Sequence, residues 1–446
     1  MKIGIISLGC PKNLVDTEIM LGLIKKNNFE ITNNPSEANI LIVNTCGFIE
    51  SAKKEAIDTI FAMVEYKKNG NCKQLIVSGC LGQRYAEMLL DEIPEIDFVV
   101  GTDYYGKIIE AIAEAQEGKR SAWCTPNSSI NPIHDVCSRV LTTPNYTAYL
   151  KIAEGCDNKC TYCIIPQLRG KYISKKFEQI IDEAKDLVNQ GVKEIVLVAQ
   201  DTTRYGEDLY GKLRLAELLK ELNKIENLKW IRILYCYPQY FTDELIETYA
   251  TCEKVCNYVD IPLQHAADSI LKRMNRRSTV KDIEILLKKL KLRIPDICIR
   301  TTFIVGFPGE TAEEFNKLKA FIKEYKFDNV GVFTYSQEED TPAALMKEQI
   351  AQELIDERYH CLMSIQAEIS EQINQNMENK VLDVVIESIT DESGEPLVKA
   401  RSYREAPEID GSIFVENGKH LRVGDFVKVK ISQGFTYELV AELIEN

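Results

Sequence analysis

The sequence predicts an α/β multidomain protein ending in a small all-β unit, and three observations carry that prediction. Residues 1–135 alternate short apolar runs with amphipathic helical stretches, the pattern of an open parallel sheet covered by helices. Strand–helix units repeat six times within residues 142–376. Residues 378–446 turn to short alternating strands separated by Gly and Asp, as in a small antiparallel β-barrel. A chain of 446 residues suits about three domains of ordinary size.

In the first region, KIGIISLGC ends at Cys10, ANILIVNTC at Cys46 and KQLIVSGC at Cys80. The carboxyl ends of parallel strands share one edge, where ligands collect, so three strands ending on cysteine aim three thiols at one site. Gly9, Gly47 and Gly79 beside them permit tight turns. The opening MKIGIISLGC lacks the longer apolar region and cleavage site of a signal peptide and reads as a first strand.

The central strands are AYLKIA, EIVLVAQD, WIRILY, YVDIPLQ, IRTTFIVGF and VGVFTYS. Six units are too few for a closed eight-stranded barrel. After the first strand comes AEGCDNKCTYCIIPQLRG, with Cys156, Cys160 and Cys163 spaced C-x-x-x-C-x-x-C. Three thiolates so close together call for a cation. Structural zinc uses four protein ligands, and electron-carrying [4Fe–4S] clusters use four cysteines; three leave one iron open. The second strand leads into AQDTTRYG, with Gln200, Asp201, Tyr205 and Gly206. The fifth leads into IVGFPGET, where Gly306, Pro308 and Gly309 form a stiff turn before a helix near Thr311. Exposed amides there suit carboxylate or ribose oxygens, although an ordinary β–α connection has the same pattern. A long polar stretch after Pro342 reads as a helix leading out of the barrel.

The cysteine loop resembles that of the radical S-adenosylmethionine (SAM) enzymes. Together with LGCPKNLVDTE, NTCGFIESAKKEAID and SGCLGQRY, it resembles the methylthiotransferases along the whole chain. The resemblance implies a partial (β/α)6, TIM-like radical-SAM barrel, a C-terminal TRAM domain and two [4Fe–4S] clusters. It assigns Cys10, Cys46 and Cys80 to an auxiliary cluster. It assigns Cys156, Cys160 and Cys163 to a catalytic cluster whose open iron chelates the amino and carboxylate groups of SAM. It also places cofactor contacts at Gln200, Asp201, Tyr205, Gly306, Pro308 and Gly309, with Tyr162 near the adenine. GCPKNLVDTE and REAPEIDGSIFV are similar to RimO-type enzymes, which methylthiolate the β-carbon of an aspartate in the twelfth protein of the small ribosomal subunit. The implied partners are that protein, free or on the ribosome, and a reductant such as flavodoxin or ferredoxin. A tRNA-adenosine methylthiotransferase is the alternative within the family. An iron–sulfur carrier is the alternative outside it, which the open iron beside a cofactor pocket argues against.

Composition narrows the partners. No apolar run approaches the ~20 residues of a membrane span, so no membrane partner is expected. Fourteen cysteines without an export signal point to thiolate chemistry in the cytoplasm. The net charge of −14 opposes binding to a phosphate backbone. From Lys380 to Asn446 eight Lys/Arg stand against thirteen Asp/Glu, a balance of −5 that argues against direct RNA binding and for a basic protein partner. The APEIDG segment, with Glu405 just before it and Glu408 and Asp410 within it, is expected to present carboxylates at a rim. Arg169 and the KRMNRR run (Arg273, Arg276, Arg277) read either as a solvated helix end or as contacts to an anionic partner. Cys72, Cys124, Cys137, Cys236, Cys252, Cys256, Cys298 and Cys361 read as packing or surface residues. Of the histidines only His265, at a strand end, is expected near the cavity; His134, His360 and His420 read as structural.

Overall fold

The computed structural model describes residues 1–124, 139–392, 395–418 and 420–444; His134, Cys137 and the expected boundary at residue 135 lie outside these. The first strands are β1 (Lys2–Ser7), β2 (Glu30–Ile31), β3 (Ile40–Thr45), β4 (Gln74–Gly79), β5 (Phe98–Val100) and β6 (Ser121–Trp123). They form one parallel sheet in the order β2-β1-β3-β4-β5-β6. β3 is buried at every residue, as an apolar run without alternation is when helices cover both faces. Successive side chains serve opposite layers. Ile40 and Ile42 pack with Val15 and Met20 of α1 (Pro11–Lys26) and Ile112 of a later helix, Ile108–Gln116. Leu41 and Val43 pack with Ile60 of α2 (Glu50–Asn69) and Leu89 of α3 (Cys80–Glu92).

The six expected central strands all form. They are β7 (Thr147–Lys151), β10 (Glu194–Val198), β11 (Trp230–Ile233), β12 (Tyr258–Gln264), β13 (Cys298–Val305) and β14 (Asn329–Thr334). Between β7 and β10 lies a two-stranded hairpin, β8 (Ala153–Glu154) with β9 (Ile173–Ser174). β7-β10-β11 and β12-β13-β14 are parallel three-stranded sheets. They meet through a bridge between Ile231 and Val255 and a Cys236 N–H bond to the Asp260 carbonyl at 2.9 Å. Leu150, Leu197, Ile233, Ile261 and Phe303 point outward into the helices. Tyr149, Val196, Val198 and Leu234 alternate with them and merge with buried residues of the N-terminal layers in a single cluster. The N-terminal domain therefore packs against the inner face of the open barrel, and the residues aligned between them are held in a shared core.

The polar stretch after Pro342 becomes an α-helix only at Gln352–Gln375, after a 3-10 turn at Pro342–Leu345. It does not lead away: Ile355, Leu362 and Ile369 are buried against the barrel core. The tail closes into a barrel, β15-β16-β17-β19-β18, from β15 (Val381–Glu392), β16 (Glu395–Arg401), β17 (Ser412–Glu416), β18 (Phe426–Gly434) and β19 (Glu438–Leu443). Strand β16 was not anticipated, because EPLVKAR shows little alternation. The β17–β19 pair is parallel, and the other four pairs are antiparallel as expected.

The segment following β16 overturns the expected acidic rim. Arg401 pairs with Glu194, the first residue of β10, which also accepts from Arg232 at 3.1 Å. Arg232 donates to the Tyr403 carbonyl at 2.7 Å, and Arg404 pairs with Asp328 at 2.9 Å. Asp410 accepts from Tyr258 at 2.6 Å and lies 3.3 Å from Arg300. Glu405 is buried and accepts the Ser402 N–H and hydroxyl at 2.7 Å. Residues 401–410 thus fasten the tail to the amino-terminal ends of the barrel strands, and of the three carboxylates only Glu408 is exposed. The fastening withdraws Arg401, Arg404, Glu405 and Asp410, two of each sign, so the acidic excess counted in the sequence is unchanged.

Candidate active site between two cysteine sets

Strands β1, β3 and β4 are neighbours, so the residues that follow them meet at one edge. Cys10 precedes α1, Cys46 follows β3 directly, and Cys80 opens α3. Gly9 (φ 87°) and Gly79 (φ 90°) make the turns. A Cβ on Gly9 would stand 2.7 Å from the Cys46 Cβ, so the close approach of these loops requires glycine. Asn13 ties two loops together, its amide donating to the Leu8 carbonyl at 3.0 Å and to the Thr45 carbonyl at 2.9 Å. Burial raises the Cys46 thiol to about 12, and Cys80 and Cys10 push it the same way. Burial also raises Cys80, with Arg169 opposing. At Cys10 burial is outweighed by Lys12 and Arg169, which hold the thiol below its ordinary value.

The second set lies in the loop after β8. Gly155 (φ 73°) reverses the chain, and the Cys156 N–H bonds the Gly170 carbonyl at 3.2 Å. The Cys163 N–H bonds the Cys160 carbonyl at 3.1 Å. Thr161 anchors the loop across the barrel, its N–H on Met274 O at 3.1 Å and its hydroxyl on Arg273 O at 2.8 Å. Burial raises Cys156 to about 12 and Cys163 further. Tyr162 packs beside Ile304 and Phe307 at the end of β13. Arg276 lies over the Tyr237 ring at 4.0 Å, with Nη1 4.0 Å from the Cys160 sulfur.

A buried polar bridge, not foreseen from sequence, joins the two sets. Arg169 ends a short helix, Ile165–Arg169, within the second loop. It bonds Asp16 of α1 at 2.8 Å, Glu154 of β8 at 3.1 Å, and Asn13. Lys151 bonds Asp16 and, at 2.7 Å, Glu154. Glu154 accepts in addition from the Gln200 amide at 2.8 Å, which leaves the buried Gln200 Oε1 with no partner.

The comparisons with known proteins fit this geometry. Family models match residues 2–101 (uncharacterized protein family UPF0004), 150–322 (radical SAM superfamily) and 380–444 (TRAM domain). The ribosomal protein uS12 methylthiotransferase RimO of Desulforamulus reducens is 54% identical over 445 residues, covering 100% of both chains. That of Clostridium botulinum is 53% identical over 439 residues, 98% of this chain and 97% of the relative. The chain belongs to the RimO family. Among solved structures, the radical SAM methyltransferase TsrM from Kitasatospora setae superposes with a TM-score of 0.57 at 14% identity, over 77% of each chain. At that identity the likeness speaks to the fold alone.

The RimO-family architecture gives each expected site residue a definite place. Gln200 and Asp201 follow β10; the Asp201 carboxylate is buried, accepting from Asn158 at 2.8 Å and Thr203 at 2.7 Å. Tyr205 is fully buried in the outer core, with its hydroxyl on the Lys175 carbonyl at 3.0 Å, so its side chain is committed to packing. The turn after β13 commits three of its amides internally. Gly306 N–H is bound by the Glu310 carboxylate, Gly309 N–H by the Glu348 carbonyl at 2.8 Å, and Glu310 N–H by the Phe307 carbonyl at 2.9 Å. Gly309 (φ 79°) lets the Arg273 guanidinium approach to 2.6 Å from where a Cβ would stand, and Pro308 is buried. His265 is fully buried, 3.3 Å from Glu310, which also pairs with Arg358 at 3.0 Å. Of the basic residues, Arg169 is buried, Arg273 pairs with Glu348 at 3.0 Å, Arg276 is half-buried, and Lys272 and Arg277 are exposed.

Among the described residues no three His, Cys, Asp or Glu side chains converge closely enough to hold a single ion. A four-iron cluster takes one thiolate per iron, so its ligands surround a body instead of meeting at a point. Both sets fit that demand: burial and then a neighbouring thiol raise Cys46 in one set and Cys163 in the other, so ionising these sulfurs together calls for a cation. The unpartnered Gln200 Oε1 fits an N–H donor nearby.

Proposed function

We propose that this chain is a radical SAM methylthiotransferase that attaches a methylthio group to the β-carbon of an aspartate in ribosomal protein uS12. One observation carries the reading: three cysteines at neighbouring strand ends and three in the loop after β8 are joined through Arg169, which touches both domains. Cys156, Cys160 and Cys163 hold the SAM-binding [4Fe–4S] cluster, and Cys10, Cys46 and Cys80 hold a second one. When bound, the two clusters and SAM supply hydrogen abstraction from carbon and the sulfur that replaces it.

The protein's own work is alignment and exclusion of water. Thr161 and Gly155 fix the second cysteine loop, and Tyr162 packs against Ile304 and Phe307 to form one wall of the adenosine site. Gln200 Oε1 would accept an N–H of the SAM amino group. Gly306, Pro308 and Gly309 act as a rigid turn that shapes the wall, since the two glycine N–H groups are committed internally and proline has none. Asn13, Asp16, Lys151, Glu154 and Arg169 keep the two sets in register. The acidic tail favours a basic protein over RNA. A low-potential carrier such as flavodoxin or ferredoxin supplies electrons, and the substrate places the reaction in the cytoplasm. No helix among the described residues is long and apolar enough to cross a membrane.

The test is direct. Anaerobically reconstituted protein is incubated with SAM, a chemical reductant and either uS12 or total tRNA, and the products are read by mass spectrometry. Replacement of one hydrogen by a methylthio group on uS12 is expected; the modification on tRNA instead would reject the reading.

A further inference from the structure

We propose that Lys12 is the specificity-determining residue that receives the side-chain carboxylate of the substrate aspartate, a step that rests on the function proposed above. The reaction occurs on the carbon next to that carboxylate, so the group must enter between the two cysteine sets without meeting an unpaired anion. Most cations there already have partners. Arg169 and Lys151 share Asp16 and Glu154, and Arg300 bonds Asp260 at 2.9 Å. Arg276 donates to the Pro262 carbonyl at 2.6 Å.

Lys12 differs. It is 7% exposed, lies two residues after Cys10, and has no carboxylate within ion-pairing distance among the described residues. Its ammonium stands 3.5 Å above the centre of the Tyr235 ring, at the carboxyl end of β11. An amine held on an aromatic face by one side leaves its other donor directions open.

The platform is itself constrained. Tyr235 has φ 63°, a left-handed conformation that is costly for an aromatic residue and persists where its surroundings impose it. Its N–H is held by Asp260 at 2.9 Å and its carbonyl by the Thr202 N–H at 3.1 Å. Asp260 in turn is neutralised by Arg300. The arrangement therefore places one Lys Nζ with no carboxylate within ion-pairing distance, among the described residues, beside the Cys10 loop. An incoming carboxylate gains an ion pair with that ammonium, whereas a carboxamide of the same shape gains only the weaker hydrogen bond of a neutral acceptor.

The test compares uS12 with a version whose target aspartate is replaced by asparagine, using the holoenzyme and following binding and KM apart from kcat. Wild-type enzyme should bind the asparagine form about tenfold to a hundredfold more weakly, the range for a hydrogen bond to a charged group. Lys12→Met should weaken binding of the aspartate form by a similar factor and remove the discrimination, with Lys12→Arg restoring part of it. Iron content and the auxiliary cluster's electron paramagnetic resonance spectrum are recorded for each variant. Equal binding of the two substrates by wild-type enzyme would overturn the proposal without any variant. So would a Lys12→Met enzyme whose cluster spectrum changes while discrimination persists, since Lys12 would then serve the cluster. Absence of any methylthiolation of uS12 by wild-type enzyme is a separate failure, that of the function itself.

Discussion

Arg169 Nη1 lies 2.8 Å from the Asp16 carboxylate, joining the loop of one cysteine set to the helix that begins beside the other. Both groups are buried, and Glu154 completes the contact at 3.1 Å. Buried ion pairs contribute little net stability, but removing one partner leaves an uncompensated charge. Replacing Arg169 with Met is therefore expected to destabilise the protein by about 3–5 kcal/mol. Denaturant titration of the reconstituted protein measures this, and the iron held by Cys10, Cys46 and Cys80 should fall with it.

Gly9 offers a more local perturbation. At φ 87°, with the Cys46 Cβ 2.7 Å from the position of a new methyl, Gly9→Ala should cost about 1–3 kcal/mol and displace Cys46. Roughly four irons should remain per chain, bound at Cys156, Cys160 and Cys163. Iron analysis checks it; full retention of both clusters would mean the loops have more room than this geometry gives.

The tail carries two carboxylates of opposite character. Asp410→Ala removes the acceptor of the Tyr258 hydroxyl and the Ala406 N–H and an ion pair to Arg300, and should cost about 2–4 kcal/mol. Glu408→Lys, at an exposed position, should change stability by less than about 0.5 kcal/mol. Thermal unfolding of the pair tests the buried placement of this segment.

Glu194 sets a pH dependence. Burial would raise its carboxyl, but Arg401 and Arg232 outweigh burial and hold it below its ordinary value. A group lowered on folding adds stability that is present above its unfolded value and is lost as pH falls through the folded one. Unfolding free energy should thus be level near neutral pH and decline below about pH 4.5. Glu194→Gln should flatten that decline, which pH-dependent denaturation would reveal.

Much of this was legible in the sequence because its signals are local. Cys10, Cys46 and Cys80 each terminate an apolar run, and a parallel sheet converts three run ends into one edge. The six barrel strands were readable for the same reason. What escaped was pairing between distant residues. Asp16, Lys151, Glu154 and Arg169 look like ordinary charges until the fold brings residues 135 and 153 positions apart into contact. Composition likewise cannot distinguish the solvated Glu408 from the buried Glu405 and Asp410, so the segment fastening the tail looked like an acidic rim. The turn at Gly306–Gly309 was placed correctly, but its amides are taken up by Glu310 and Glu348, partners that local pattern does not reveal.

The central claim is that the two cysteine sets have separate tasks. The measurement that tests it most directly is the product analysis of a Cys10→Ala, Cys46→Ala, Cys80→Ala variant supplied with SAM, reductant and uS12. The account predicts roughly four irons per chain, continued formation of 5′-deoxyadenosine and no sulfur on uS12. Methylthiolated uS12 from this variant, or loss of SAM cleavage while the other four irons remain, would contradict it.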